Sequence, residues 1–495
     1  MRVRRFILLC LMIFISLCAC KKQSAQPVRD STNTQANKQA SSESVEQHSV
    51  PIQSSLRISE YLCSVTDISD EWVPGHYLAY GTDFNDSSCY GILDTNGGFS
   101  LLNDYAAYFP LADGNLLVTD DANDVERSFR TASHETTDIP LGKIIAGDGT
   151  VLFEAAENQR MHIINSKTVM IVEASSGFNG TSIQFGLLDH RGNWIQNLRT
   201  NDQLSSFLKE YIEFSTGTKW NYASAISIVC CDGYDGLESQ SLGFYKDHRK
   251  SNYPVLIYSL YSNSFFEMIS YDRLIIQASE NEWLLRSTGW ANVPWGGDSW
   301  ICEVYDSNGQ KVDSFKNYHS TINGVRYWND YKWETSVDEN NKYTETEYLI
   351  IGSDLNQEGY TFSSDYSQKI YRIAGFTENQ VWLVARGSDG RMYFVSHDME
   401  GNTVVEPYLL DGFVGGYTTV IENKLICYDS KESFSLYILD SVSDSLIVCN
   451  IGIKDYPENI WSMGNGMLAL EFHENGNDYI FVYTLDGRCV YQSIV

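Results

Sequence analysis

Two stretches of this 495-residue chain carry side chains whose type and spacing suit recognition chemistry. The first runs Gly289-Trp290-Ala291-Asn292-Val293-Pro294-Trp295-Gly296-Gly297-Asp298-Ser299-Trp300 and is followed closely by Tyr327-Trp328-Asn329-Asp330-Tyr331-Lys332-Trp333. Seven of the eleven tryptophans fall between residues 283 and 382, so the aromatic planes are concentrated rather than scattered. A loop rich in glycine and proline does not bury its backbone easily, which would display Trp290 and Trp295 at a surface. Indole planes beside Asn and Asp suit the apolar faces of sugars or the hot spot of a protein partner, and Trp328 and Trp333 join them as candidate ligand contacts. The competing role is packing between sheets, the usual place of large rings. The second stretch, Asp354-Leu355-Asn356-Gln357-Glu358-Gly359, sets Asp354, Asn356 and Glu358 at alternate positions, with Asp365 eleven residues after the first. Oxygen ligands at that spacing converge on a calcium ion in acidic loops. Here they lie between strands rather than helices, where Asx-rich turns are ordinary.

Signals for covalent chemistry are missing. The nine histidines form no His-Glu-x-x-His pattern, no Gly-x-Ser-x-Gly elbow occurs, and no phosphate-binding glycine loop follows a strand. A glycosidase carboxylate pair has no sequence spacing of its own and is compatible with the many acidic residues. The balance of 35 basic against 64 acidic side chains, a net charge of −29, leaves no clustered excess of Lys and Arg for nucleic acid.

The address is written at the N-terminus. Arg2, Arg4 and Arg5 precede an apolar run over residues 6–17 that only Ser16 interrupts, and Ala19 supplies a small residue at its end. That run is shorter than the ~20 apolar residues a membrane-spanning helix needs. Leu17-Cys18-Ala19-Cys20 resembles a bacterial lipobox, which implies cleavage before Cys20 and a diacylglycerol on its thiol. Residues 1–19 are then a lipoprotein signal peptide. Residues 20–55, dominated by Gln, Ser, Lys, Asn and Thr, form a flexible tether that cannot bury enough apolar surface to order itself. The expected location is the extracytoplasmic face of the cell membrane, reached through the lipid. Eight cysteines remain, at 63, 89, 230, 231, 302, 427, 449 and 489, which permits disulfides without specifying pairs. Cys302, Cys427, Cys449 and Cys489 lie in apolar strands and read as small core residues.

Residues 56–495 read as short strands throughout. The unit is a strand, a polar turn with Asp, Asn or Gly, and a second strand. Copies run Tyr90 to Gly97, Phe185 to Gly192, Cys302 to Gly309, Tyr393 to Gly401 and Tyr479 to Gly487. Weaker ones fall at Asp148-Gly149, Asn263-Ser264, Asn356 to Gly359 and Asp440 to Ser445. A further strand precedes many copies, announced by Asn115, Asn281, Asn379 or Asn423. Four short strands per ~40–50 residues is the signature of a β-propeller blade, whose sheet is too small to bury both faces alone. Dividing roughly 440 residues by 42–60 per unit gives seven to nine blades, with eight the central expectation and seven possible. The turn units resemble the repeats of bacterial propeller-like and Trp-Gly-repeat lipoproteins.

The adjacent pair Cys230-Cys231 is similar to the vicinal cysteines of quinoprotein alcohol dehydrogenases, eight-bladed propellers that hold a quinone. Their repeated Ala-x-Asp-x-x-Thr-Gly-x-x-x-Trp docking motif is absent, apart from a faint trace at Gly192-Asn193-Trp194. The sequence therefore points to a non-catalytic module that binds a protein or glycan and needs no cofactor beyond a possible calcium. The alternative is an extracytoplasmic enzyme, either quinoprotein-like or a glycan hydrolase.

Overall fold

The computed structural model divides into a segment, residues 1–46, and a compact unit, residues 47–495. It describes residues 62–492, except 122–137, 232–238, 247–252, 288–300, 363–368 and shorter connections between strands. Cys20, the signal and the tether lie outside the described residues.

Among the described residues, nine antiparallel sheets of four or more strands follow one another along the chain. They occupy residues 62–102, 107–154, 159–200, 226–270, 274–316, 318–362, 369–409, 417–450 and 459–491, numbered here as sheets 1 to 9. Strand order within each follows chain order. Sheet 3 gains a fifth strand, Ile139–Pro140, on the free edge of its first strand Gln159–Asn165. The helix Asp202–Leu208 and the hairpin of Ile212–Thr216 with Lys219–Tyr222 stand between sheets 3 and 4.

The strand patterns follow from stacking. Middle strands such as Lys424–Asp429 and Ser435–Asp440 are buried almost continuously, because sheet 8 is covered on one face by sheet 7 and on the other by sheet 9. Fourth strands such as Trp194–Thr200 are mostly exposed. Sheets 1, 2 and 3 share one apolar cluster, and further clusters join 3 to 4, 4 to 5, 6 to 7, 7 to 8 and 8 to 9. Sheet 9 then packs on sheet 1, through Met463, Met467, Ile480 and Tyr491 against Val65, Ile68, Tyr77 and Leu93.

Each turn unit read from the sequence falls at or beside the link between the third and fourth strands of one sheet, so nine units correspond to nine sheets. The intervals between units are uneven, and sheet 2 is built from strands of only three or four residues. In sheet 6 the third strand ends at Ser353 and the fourth, Asn356–Phe362, contains Gly359. The Asn-announced strands are second strands.

The turns repeat one bonding pattern. Asp398 Oδ1 accepts the backbone N–H groups of Glu400 at 2.9 Å and Asn402 at 2.7 Å, and Gly401 takes φ 86°. Asp189 does the same with Arg191 and Asn193 around Gly192, and Asp94 with Asn96 and Gly98. A left-handed turn residue costs glycine least. The motif's other glycine has a different reason. A Cβ on Gly91 would overlap the Phe99 ring, and one on Gly186 would stand 2.6 Å from the Trp194 ring. An aromatic side chain of the fourth strand thus lies over a glycine of the third.

Hydrogen bonds hold several turn carboxyls below the usual carboxylate range. They come from Thr150 at Asp148, and from the Asn402 side chain and the Asn402 and Glu400 amides at Asp398. At Asp189 burial acts upward, but bonds from Asn193 and Arg191 outweigh it. A carboxyl whose folded pKa is depressed stabilises the fold above its unfolded pKa and loses that contribution as pH falls through the folded value. The melting temperature is therefore expected to hold between pH 5 and 7 and to fall below about pH 4. A triple Asp148→Asn, Asp189→Asn, Asp398→Asn protein should show a shallower acid limb in the same melting series.

Candidate functional site

Strand order sorts the connections by end. In an antiparallel meander the links from first to second and third to fourth strand leave one end, and the remaining links leave the other. At the first end the links are of two to seven residues, apart from 232–240 in sheet 4, and several are bonded to one another. Trp72 Nε1 donates to the Asn115 carbonyl at 2.8 Å, Asn115 Nδ2 to the His190 carbonyl at 3.0 Å, and Ser462 Oγ to Glu422 Oε1 at 2.8 Å. Asp113 pairs with His190 and Arg191, whose bonds hold its carboxyl below the ordinary range. The three longest connections, residues 120–142, 201–225 and 288–300, all leave the opposite end. So does the hairpin of Val325–Val337 with Tyr343–Ser353, which runs past both outer strands of sheet 6.

Two of the long connections meet over the inner edge of sheet 3. Arg160, in the first strand, is buried, with 4% exposure, where arginine is seldom found. Its guanidinium donates to the Trp220 carbonyl and, at 2.6 Å, to Asn221 Oδ1, both in the 201–225 connection. Its Nε stands 3.7 Å from Asp138 Oδ2, at the end of the 120–142 connection. The cation lies 5.0 Å over the Trp220 ring, whose Nε1 donates to the Asn158 carbonyl at 2.8 Å. Two residues further along the same two strands, the Tyr222 hydroxyl and His162 Nε2 are 3.2 Å apart. Burial, with the nearby Asp138 charge, pushes the Tyr222 hydroxyl well above the phenol range. A buried charge costs several kcal/mol unless paired, so this cluster fixes both connections to sheet 3 rather than leaving them as free loops.

The sequence candidates divide between the two ends. Trp290 and Trp295 lie outside the described residues, and their connection is flanked by Ser287 and Ile301 at the long-connection end. Trp333 pairs with Glu347 in the overhanging part of the sheet 6 hairpin, at that same end. Trp328 pairs with Tyr318 and Gly352 near the other end and is half-buried; a Cβ on Gly352 would overlap its ring. That side chain fills the space the glycine leaves. Asp354 and Asp365 lie outside the described residues, while Asn356 and Glu358 belong to the fourth strand of sheet 6. Among the described residues no three His, Cys, Asp or Glu side chains gather as metal ligands. Cys230 and Cys231 end the first strand of sheet 4, paired with Leu242 and Ser241.

Sequence reasoning missed Phe178, fully exposed at the tip of the hairpin Thr168–Gly177 with Gly180–Asp189, at the long-connection end. Its signal was the Gly177 to Gly180 turn, since a two-residue tip lifts its side chains off the sheet.

No family model matches the chain, and no curated protein is similar to it. Solved structures similar to it include the β-propeller domain of the Trilobed protease from Pyrococcus furiosus, at 10% identity, covering 66% of this chain and 96% of that one with a TM-score of 0.33. An uncharacterized protein from Listeria monocytogenes is similar at 8% identity over 91% of this chain and 98% of its own, with a TM-score of 0.34. Pyrococcus horikoshii acylaminoacyl peptidase is similar at 10% identity over 66% of this chain, with a TM-score of 0.31, and the match spans about half of that peptidase, 51%. Likeness at this level carries no activity across, and the account of the fold rests on the chain's own sheets.

Proposed function

We propose that the nine sheets are blades of one closed β-propeller, held by a lipid on Cys20 at the extracytoplasmic face of the membrane, and that the propeller is a non-catalytic binding module for a protein or glycan. The observation that carries this reading is the asymmetry of the two ends: mostly short turns, several of them bonded to one another, on one, and the three longest connections on the other. Binding surfaces are built on loops that a rigid scaffold positions. Here the contacts offered are Trp290 and Trp295 in the connection 288–300, Trp333 on the overhanging hairpin and the exposed Phe178. Aromatic side chains of this kind dominate interface energetics and stack on sugars.

The test joins address and site. Radiolabelled palmitate should enter the protein, and Cys20→Ala should release it from the membrane fraction; an unlipidated mature N-terminus seen by mass spectrometry overturns the anchor. Glycan arrays and pull-downs with the tether removed should find a ligand whose binding Trp290→Ala/Trp295→Ala abolishes. Stability should move by only about ±0.5 kcal/mol, as for exposed positions. A loss of ~3–5 kcal/mol per truncation would place both rings in the core and remove them from the site.

A further inference from the structure

The outermost strands of the last two sheets bring two cysteines to one interface. Cys449 lies in Ser445–Asn450 of sheet 8 and Cys489 in Cys489–Tyr491 of sheet 9. Cys449, 5% exposed, belongs to the apolar cluster between these sheets, and the half-buried Cys489 packs against the same cluster. Cys489 pairs directly with Tyr483, so the two side chains leave the same face of sheet 9, and Tyr483 is part of that cluster too. Cys449 Sγ donates to the carbonyl of Gly487 at 3.2 Å, two residues before Cys489. Gly487 takes φ 84°, and a Cβ there would stand 2.5 Å from Ile447 Cγ2 and 3.1 Å from Cys449 Sγ, so the turn lies close against both side chains. The charge of a Cys489 thiolate would act on Cys449, and charges on both would act on the Tyr483 hydroxyl, which places the three groups together. Cys427 is different: it is wholly buried in the second strand of sheet 8, in the cluster facing sheet 7.

We infer that Cys449 and Cys489, thiols in this structure, form a disulfide in oxidising surroundings that staples the outer strands of sheets 8 and 9. The inference extends the proposed extracytoplasmic address, where such bonds persist. The oxidant is an external disulfide, protein or small molecule. The more exposed Cys489 thiolate attacks one of its sulfurs, forming a mixed disulfide and releasing the other sulfur as a thiol. The Cys449 thiolate then attacks the Cys489 sulfur and displaces the second external thiol. Two protein thiols give up two protons and two electrons, and the external disulfide is reduced to two thiols. Burial pushes both thiols up to about 11, so closure is slow at neutral pH and accelerates as pH rises.

The experiment uses the full-length chain, incubated with oxidised glutathione at pH 8.5, alkylated without reductant and mapped by mass spectrometry. A Cys449–Cys489 cross-linked peptide that disappears on reduction, with a higher melting temperature than the reduced protein, is the expected result. Cys449→Ser and Cys489→Ser should each leave the remaining partner open to alkylation. Complete alkylation of both thiols in the oxidised, then denatured, wild-type protein overturns the staple, as does linkage of either to Cys427. The address is read separately, from the lipidation test. A chain that forms the cross-link on oxidation yet carries no lipid keeps the staple and loses the anchor, whereas a lipidated chain that never forms it does the reverse.

Discussion

Replacing Arg160 by Ala should lower stability by about 3–5 kcal/mol, the usual cost of removing one partner from a buried ion pair. The size follows from what the substitution leaves behind. Asp138, the Trp220 carbonyl and Asn221 Oδ1 would all lose their bond to the guanidinium in a place where water does not readily replace it. The Trp220 ring, wholly buried, would lose the cation over its face. Arg160→Lys keeps the charge but supplies no planar fork for the carbonyl and amide oxygens, so it should recover only part of the loss. Urea unfolding measures both. Because Arg160 braces residues 138–140 and 219–222 at the same time, the Ala variant should also become more sensitive to proteolysis within the 120–142 and 201–225 connections. A variant within 1 kcal/mol of wild type, with unchanged cleavage there, would mean that the connections are held by something other than this cluster.

That cluster was invisible in the sequence, whereas the sheets around it were not, and the difference is physical. The turn units were legible because two local demands coincide in them. An Asp carboxylate must accept amides two and four residues on, and a glycine must take positive φ, as at Asp189 with Gly192 and Asp398 with Gly401. One second strand follows an asparagine in the left-handed region, Asn423 at φ 59°, whereas Asn115, before the second strand of sheet 2, is extended at φ −80°. Arg160 satisfies no such local rule. Its partners are Asp138, 22 residues before it, and Asn221, 61 residues after, so only the tertiary structure brings them together. The two-residue strand Ile139–Pro140 is equally silent, since proline marks an edge at best.

Tryptophan type alone did not say where a ring would lie. Trp290 and Trp328 looked equivalent, yet Trp328 belongs over Gly352, while the connection holding Trp290 leaves the far end of its sheet. The missing information was which glycine faces which ring across the ladder, a property of register rather than of composition. Phe178 illustrates the converse. A phenylalanine is expected inside, but a hairpin tip beyond the packed faces of the sheet offers it no cover.

The joint between sheets 9 and 1 should be the most sensitive place in the packing, and Tyr77→Ala tests it. All four strands of sheet 1 come from residues 62–102 and all four of sheet 9 from residues 459–491, so no strand passes from one to the other. The joint is held by the apolar cluster around Tyr77, Met463, Met467 and Ile480, and by a few bonds. The Tyr77 hydroxyl donates to the Gly464 carbonyl at 3.2 Å, the Glu71 amide to the Met463 carbonyl at 3.0 Å, and the Arg488 guanidinium to the Thr95 carbonyl at 3.0 Å. Tyr77 is wholly buried, and deleting its ring removes both the apolar contact and the bond. The expected loss is about 3–5 kcal/mol, as for other buried aromatic truncations. Tyr77→Phe, which removes only the bond, should cost about 1 kcal/mol. Phe394→Ala, an equally buried ring between sheets 7 and 8, is the comparison. It should destabilise by a similar amount without opening the joint, because there the chain itself ties the neighbouring sheets together. Only Tyr77→Ala should therefore increase cleavage in residues 69–75 under native conditions, as sheet 1 separates from sheet 9. Equal protection of that segment in both variants, or a loss below 1 kcal/mol for Tyr77→Ala, would show that the packing of sheet 9 on sheet 1 does not depend on this contact.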